Sequence, residues 1–211
     1  MGIFLSAVLL NVANSEITLR KDRMAKLEVQ QEIDNDNALR IKDSIWNAEM
    51  DARYGTDNNS FLELANTLGF RESSDNYDTV GGANNAYIGR YQMGPMAFKD
   101  VYSDDVYTNG NKDYTKADSL YRTYRNDPTL WTKAEQDKAF KLWVTKLKLY
   151  MNDELDTYVG ETVHGVKITT NGLIAAAHLI GHASVKNWLE HGGDIADAFG
   201  TTPVEYLLMF T

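Results

Sequence analysis

The stretch that decides how this chain is read is Ser60-Phe61-Leu62-Glu63-Leu64-Ala65-Asn66-Thr67-Leu68-Gly69-Phe70-Arg71-Glu72-Ser73. Phe61, Leu64, Ala65 and Leu68 recur at i, i+3, i+4 and i+7, the spacing of an amphipathic helix. Carried to i+11, the period lands within about 20° of Phe61 at 100° per residue, and that position holds Glu72. An acid on the apolar stripe at the C-terminal end of a helix meets two penalties on its charge. One is desolvation and the other is the negative end of the helix dipole. This is the setting a general acid needs. The plainer alternative is an ion pair with Arg71 or Arg90. Upstream, Gly55 and Asp57-Asn58-Asn59 make a helix stop, with a new N-cap at Asn59 or Ser60.

Downstream, Glu72-Ser73 opens the polar run Ser74-Asp75-Asn76-Tyr77-Asp78. Gly81-Gly82 and Asn84-Asn85 follow, then Tyr87-Ile88-Gly89-Arg90-Tyr91-Gln92-Met93-Gly94-Pro95. Much later comes Ile174-Ala175-Ala176-Ala177-His178-Leu179-Ile180-Gly181. In this order the segments resemble the lysozyme-like peptidoglycan hydrolases, specifically soluble lytic transglycosylases and goose-type lysozymes. That family has a helix ending in Glu-Ser, a turn-rich loop, Gly-x-x-Gln, and an Ala-Ala-Tyr-Asn-x-Gly helix end. The chain departs from it at His178 for the Tyr and Leu179 for the Asn. It is also similar to lysozyme-like domains of phage proteins, in which an Ala-His-Leu helix precedes a Gly-Gly turn and a short final helix. The likeness runs in patches from Asp57 to Thr211.

The resemblance implies a mainly α, lysozyme-like domain over residues 57–211, with a small irregular loop or β region at a cleft. It implies Glu72 as the catalytic acid and Gln92 in the cleft, where its two donors and two acceptors suit a sugar's N-acetyl or hydroxyl group. Ser73 would hold the backbone near the acid, or act as a plain turn residue. Tyr87 and Tyr91 either stack on pyranose faces or fill core beneath the loop. Gly89 allows a sharp turn or close approach of backbone to substrate. His178 either orients the Glu72 carboxyl, which requires a neutral ring, or is a satisfied core histidine.

Hydrolysis by inversion or retention needs two carboxylates. Asp75 and Asp78 lie near Glu72 in sequence, but in a loop that would naturally be solvated. Lytic transglycosylases, by contrast, use one Glu. It protonates the glycosidic oxygen between N-acetylmuramic acid and N-acetylglucosamine, then serves as base for the sugar's own 6-hydroxyl. With one well-placed acid, the anhydro-forming route is favoured over hydrolysis. No cofactor is implied. His178 and His182 lack the intervening Glu of an HExxH arrangement, so no metal is expected.

Composition agrees with a globular enzyme and narrows its partners. The 211 residues suffice for one domain with a core plus an extension. At 43% hydrophobic residues and three prolines the chain is not of disordered composition. A net charge of −9 argues against a non-specific nucleic-acid binder. It also suits a protein delivered to the anionic wall by something else better than one steered there by a basic surface. Cysteine is absent, which excludes disulfides and thiolate chemistry. Residues 1–56 read as a separate arm. Ile3 to Ala13 is apolar but far short of the roughly 20 residues that span a bilayer, and no Lys or Arg precedes Arg20. The segment resembles the apolar region of a signal peptide, with a poor cleavage site at Ala13-Asn14-Ser15. The favoured expectation is a hydrophobic helix that packs on a partner or a neighbouring subunit, with membrane contact left open. Residues 16–54 read as one or two charged helices, broken near Asp34-Asn35-Asp36-Asn37, that brace the domain or attach it to an assembly.

Elsewhere, a helix begins at Pro95, and Tyr102 to Leu130 is helical only in part. Thr132-Lys133-Ala134-Glu135 is a capping box opening a long helix with the stripe Phe140, Trp143, Val144, Leu147, Met151 and Leu155. His164-Gly165-Val166-Lys167 is a turn, and Asn171 to Ile180 an alanine-rich central helix. Thr202-Pro203-Val204-Glu205 caps a last helix reaching Phe210. The function expected is cleavage of peptidoglycan outside the cytoplasm, in the bacterial wall or periplasm, by a protein carried on a phage or phage-like particle. Residues 1–56 would contact other virion or assembly proteins. The competing class is a structural virion or secretion-apparatus component that keeps the fold without turnover.

Overall fold

A computed structural model describes residues 58–103, 107–108, 111–193, 195–197 and 199–211, together with Lys21, Met24 and Gln31. The chain divides into two compact units, Met1–Glu49 and Met50–Thr211. The expected hydrophobic segment, the charged arm and its break lie outside the described residues.

The second unit is mainly helical. Its elements in chain order are α1 (Asn58–Ser73), β1 (Val80–Gly81), β2 (Tyr87–Ile88), α2 (Pro95–Tyr102), β3 (Tyr107–Thr108) and β4 (Asn111–Lys112). Then come α3 (Thr115–Asn126), α4 (Lys133–Tyr150), α5 (Asn152–Tyr158), β5 (Thr162–Val163), β6 (Val166–Lys167), α6 (Thr170–Ile180), α7 (His182–His191) and α8 (Pro203–Leu208). Each strand pair is a separate two-residue antiparallel ladder. Among the described residues no helix is long and apolar enough to cross a membrane.

Helix α6 forms the middle of this unit. Leu173, Ile174, Ala175, Ala176 and Ala177 are all buried, and α6 packs against α8, α7, α1 and α4. Alanines make this possible, because short side chains let neighbouring backbones approach from several sides at little entropic cost. The α1 stripe does what its period requires: Leu64, Ala65 and Leu68 are buried and Phe61 packs on the same core. All six residues of the Phe140–Leu155 stripe are buried as well. That stripe is shared by two helices, however. Met151 takes a non-helical conformation between α4 and α5, and Asn152-Asp153-Glu154 restart the helix with acids in its first turn, where the dipole favours them.

Both capping boxes form: Thr132 with Glu135, and Thr202 with Glu205. The last helix stops at Leu208, short of the expected Phe210. The His164-Gly165 turn closes the β5–β6 hairpin. Helix α7 was not anticipated, since Gly181 was read only as the end of the preceding helix. Its buried Val185, Trp188 and Leu189 nevertheless carry the i, i+3, i+4 signature.

Candidate active site

Helix α1 ends in two left-handed residues, Ser74 and Asp75, and the Asp75 N–H closes back on the Gly69 carbonyl at 3.0 Å. The Ser73 hydroxyl donates to the Arg90 carbonyl at 2.8 Å, tying the helix end to the loop that follows. That loop carries the β1–β2 hairpin, in register Val80↔Ile88 and Gly81↔Tyr87. Next comes a tight turn over Gly89-Arg90-Tyr91-Gln92, after which Met93 pairs back with Ile88. Gly89 has φ +74°, and a Cβ there would lie 2.2 Å from Oε1 of Gln136. The turn therefore needs glycine for both conformation and space.

Gln136 is the residue that holds this turn, and nothing in its sequence context marked it. It is fully buried on α4. Its Oε1 accepts from the Arg90 N–H at 2.9 Å, and its Nε2 donates to the carbonyls of Tyr77 and Trp131, each at 2.9 Å. The Arg90 guanidinium completes the clamp. It donates to Asp75 at 2.9 Å, to the Tyr91 hydroxyl at 2.7 Å, to the Tyr77 hydroxyl at 3.2 Å and to Asn66 at 3.1 Å.

These elements enclose a cavity of about 330 Å³, at the small end of the range for small-molecule sites. Arg71 and Glu72 line it from α1, and Gly82, Ala83 and Tyr87 from the hairpin region. Gln92, His178 and Leu179 contribute too, along with Asp197, Phe199, Thr201 and Tyr206 from the C-terminal segment. Glu72 is half-buried in this lining. The Tyr206 hydroxyl donates to its Oε1 at 2.5 Å, and among the described residues its Oε2 carries no hydrogen bond. Neither arginine takes it. Arg71 reaches Glu205 at 3.4 Å, and Arg90 is committed to Asp75 and Asp137. Burial, then the adjacent Glu72 charge, push the Tyr206 phenol well above its ordinary range, so that it remains a donor.

The structure thus brings Glu72, Tyr87, Gln92 and His178 to one cavity, while Ser73, Gly89 and Tyr91 are not part of its lining. Tyr91 is 2% exposed and stacks on Phe140 with ring centroids 3.9 Å apart. Its hydroxyl donates to Asp137 at 2.8 Å, so it belongs to the core beneath the loop. Gly89 serves the turn rather than backbone contact with substrate. His178 has both ring nitrogens occupied within the protein. Nδ1 accepts from the Trp143 indole N–H at 3.0 Å, which leaves the proton on Nε2, 2.8 Å from the Tyr91 carbonyl. It is a satisfied neutral histidine, and Tyr206 is the group that orients Glu72. Gln92, with φ +46°, spends one N–H on the Gly89 carbonyl at 2.9 Å.

Tyr206, Asp197 and Phe199 went unrecognised in the sequence. The first was legible only as a core position of the last helix. Asp75 and Asp78 do not line the cavity, whereas Asp197 does. Among the described residues, no group of three or more His, Cys, Asp or Glu side chains could hold a metal.

Tyr206→Phe should lower any turnover that depends on Glu72 about tenfold, because the carboxyl loses the donor that fixes its rotamer. The accompanying loss of stability should be about 1–2 kcal/mol. Steady-state kinetics and thermal melting on the same preparation separate the two effects.

Compared with known proteins, the chain matches no family model, no curated protein and no solved structure.

Proposed function

We propose that this chain cleaves the β-1,4 bond between N-acetylmuramic acid and N-acetylglucosamine in peptidoglycan, with Glu72 as acid and then base. One observation carries this reading. A half-buried glutamate in a cavity wall has one oxygen held by a tyrosine hydroxyl, the other without a hydrogen bond among the described residues, and no arginine paired to it. A structural ion-pair glutamate would look different.

In the proposed reaction, protonated Glu72 donates from Oε2 to the glycosidic oxygen as the C1–O bond breaks, leaving an oxocarbenium-like centre. The resulting carboxylate, still held by Tyr206, then takes a proton from the oxygen that attacks C1. When that oxygen is the sugar's own 6-hydroxyl, the product is a 1,6-anhydro ring and no water is consumed. The Gln92 amide, with a donor and Oε1 left after its bond to Gly89, suits an N-acetyl group. The order of Glu-Ser, Gly-x-x-Gln and the alanine-rich helix supports the same reading. On this reading residues 1–56 would attach the chain to a phage-like particle that delivers it to the wall, outside the cytoplasm.

Asp197 favours a second reading, hydrolysis, since it is another carboxylate lining the cavity. Its Oδ1, however, already accepts from the N–H groups of Phe199 at 2.8 Å and Thr201 at 2.7 Å. Mass spectrometry of digested sacculi tests both readings. Anhydro-muropeptides are the expected product. Reducing ends that vanish in Asp197→Asn, which preserves the Oδ1 acceptor, would establish hydrolysis instead. Failure of the parent chain to release any muropeptide above a protein-free control would point to a structural component without turnover.

A further inference from the structure

Resting on the glycan-cleaving reading, we propose that Phe199 is a sugar-stacking platform on the rim of the cavity, reading the pyranose faces of the glycan strand rather than its peptide stems. Single exposed apolar residues are ordinary on protein surfaces, so exposure alone says little. Phe199 is different in where it stands and in how it is held. The residue is 68% exposed and yet lines the cavity that contains Glu72.

Its backbone is fixed from two directions. Asp197 Oδ1 accepts from the Phe199 and Thr201 N–H groups, the Asp197 N–H donates to the Thr201 carbonyl at 2.9 Å, and the Gly200 N–H donates to the Asp197 carbonyl at 3.1 Å. The next residue, Thr202, is the N-cap of α8, and α8 carries Tyr206 to the Glu72 carboxyl. One short segment therefore sets the position of the Phe199 backbone relative to the acid. Little loop ordering is left to be done on binding, which is the economy of a preorganised site.

The chemistry of the ligand follows from the ring. A pyranose presents C–H bonds from its faces and hydroxyls from its edge. The electron-rich face of an aromatic ring attracts the former and offers the latter nothing. A second aromatic in the lining, Tyr87, is 41% exposed and is wedged where a Cβ on Gly82 would lie 2.2 Å, and one on Gly94 3.0 Å, from its ring. Two exposed aromatics in one cavity, one ring wedged and the other on an anchored backbone, fit a chain of sugars.

Phe199→Ala should raise KM for soluble uncross-linked glycan strands about tenfold while kcat and the melting temperature stay close to the parent chain. Phe199→Trp should restore KM to within about threefold. Its emission should also change on titration with the tetramer of β-1,4-linked N-acetylglucosamine, beyond any change in the parent chain. An unaltered KM in the alanine variant, or tetramer-insensitive emission in the tryptophan variant, overturns the platform. The tetramer titration needs no turnover, so it still decides the platform if muropeptide release fails and the proposed reaction falls.

Discussion

Glu72→Gln should abolish clearing in a peptidoglycan zymogram and lower muropeptide release at least about a thousandfold if the proposed reaction is right. General acid–base catalysis contributes roughly 10²–10⁴-fold per proton transfer, and the proposed reaction asks the same carboxyl for two. The amide is nearly the same shape, and its oxygen can still accept from the Tyr206 hydroxyl that now bonds Glu72. It can neither deliver nor receive the proton. Because the site is half-buried and the hydrogen bond from Tyr206 survives, the melting temperature should move by no more than about 2 °C. A folded Glu72→Gln chain that keeps a tenth of the parent activity would remove Glu72 from the chemistry. Combination with Tyr206→Phe adds a check. Once the carboxyl is gone, loss of the hydroxyl that orients it should have almost no further effect on rate.

Gln136→Leu should be the most damaging of these changes to stability, at about 3 kcal/mol, or roughly 6–12 °C in melting temperature for a chain of this size. The side chain is fully buried, and three backbone groups depend on it: the Arg90 N–H and the carbonyls of Tyr77 and Trp131. A buried polar group left without a partner costs about 1–3 kcal/mol, and local relaxation returns part of the sum. The effect reaches the site because the Gly89–Gln92 turn rests on Gln136, and Gln92 lines the cavity. Activity measured well below the melting transition should therefore fall too, through KM. Thermal and urea denaturation check the first part of this expectation. A loss under about 1 kcal/mol would show that water or rearrangement satisfies those three groups.

The helical character of the domain was legible because hydrophobic period and capping chemistry are local. Phe61 to Leu68 and the two capping boxes formed as their spacing required, and the stripe from Phe140 to Leu155 is buried throughout although two helices share it. The break at Met151 was hidden, since an apolar stripe continues unchanged across a one-residue interruption. Helix α7 was missed for the opposite reason: a glycine that ends one helix also stands immediately before the next.

Site residues divided along the same line. Glu72 stood out because it interrupts a pattern. Tyr91 and His178 could not be assigned, because the sequence does not say whether a polar tip faces a cavity or a partner. The partners proved to be Asp137, Trp143 and the Tyr91 carbonyl, at sequence separations of 35 to 87 residues.

By itself, then, the sequence determined the placement of most helices and the anomaly of one acid on an apolar stripe. Both follow from interactions within about eleven residues of chain. Only the tertiary structure decided what meets that acid. The α6–α8 packing brings Tyr206 to Glu72 across 134 positions, the Asp197 turn brings Phe199 to the same cavity, and both arginines are drawn away to other carboxylates. Pairings over such distances are set by which faces pack together, and no local spacing encodes them.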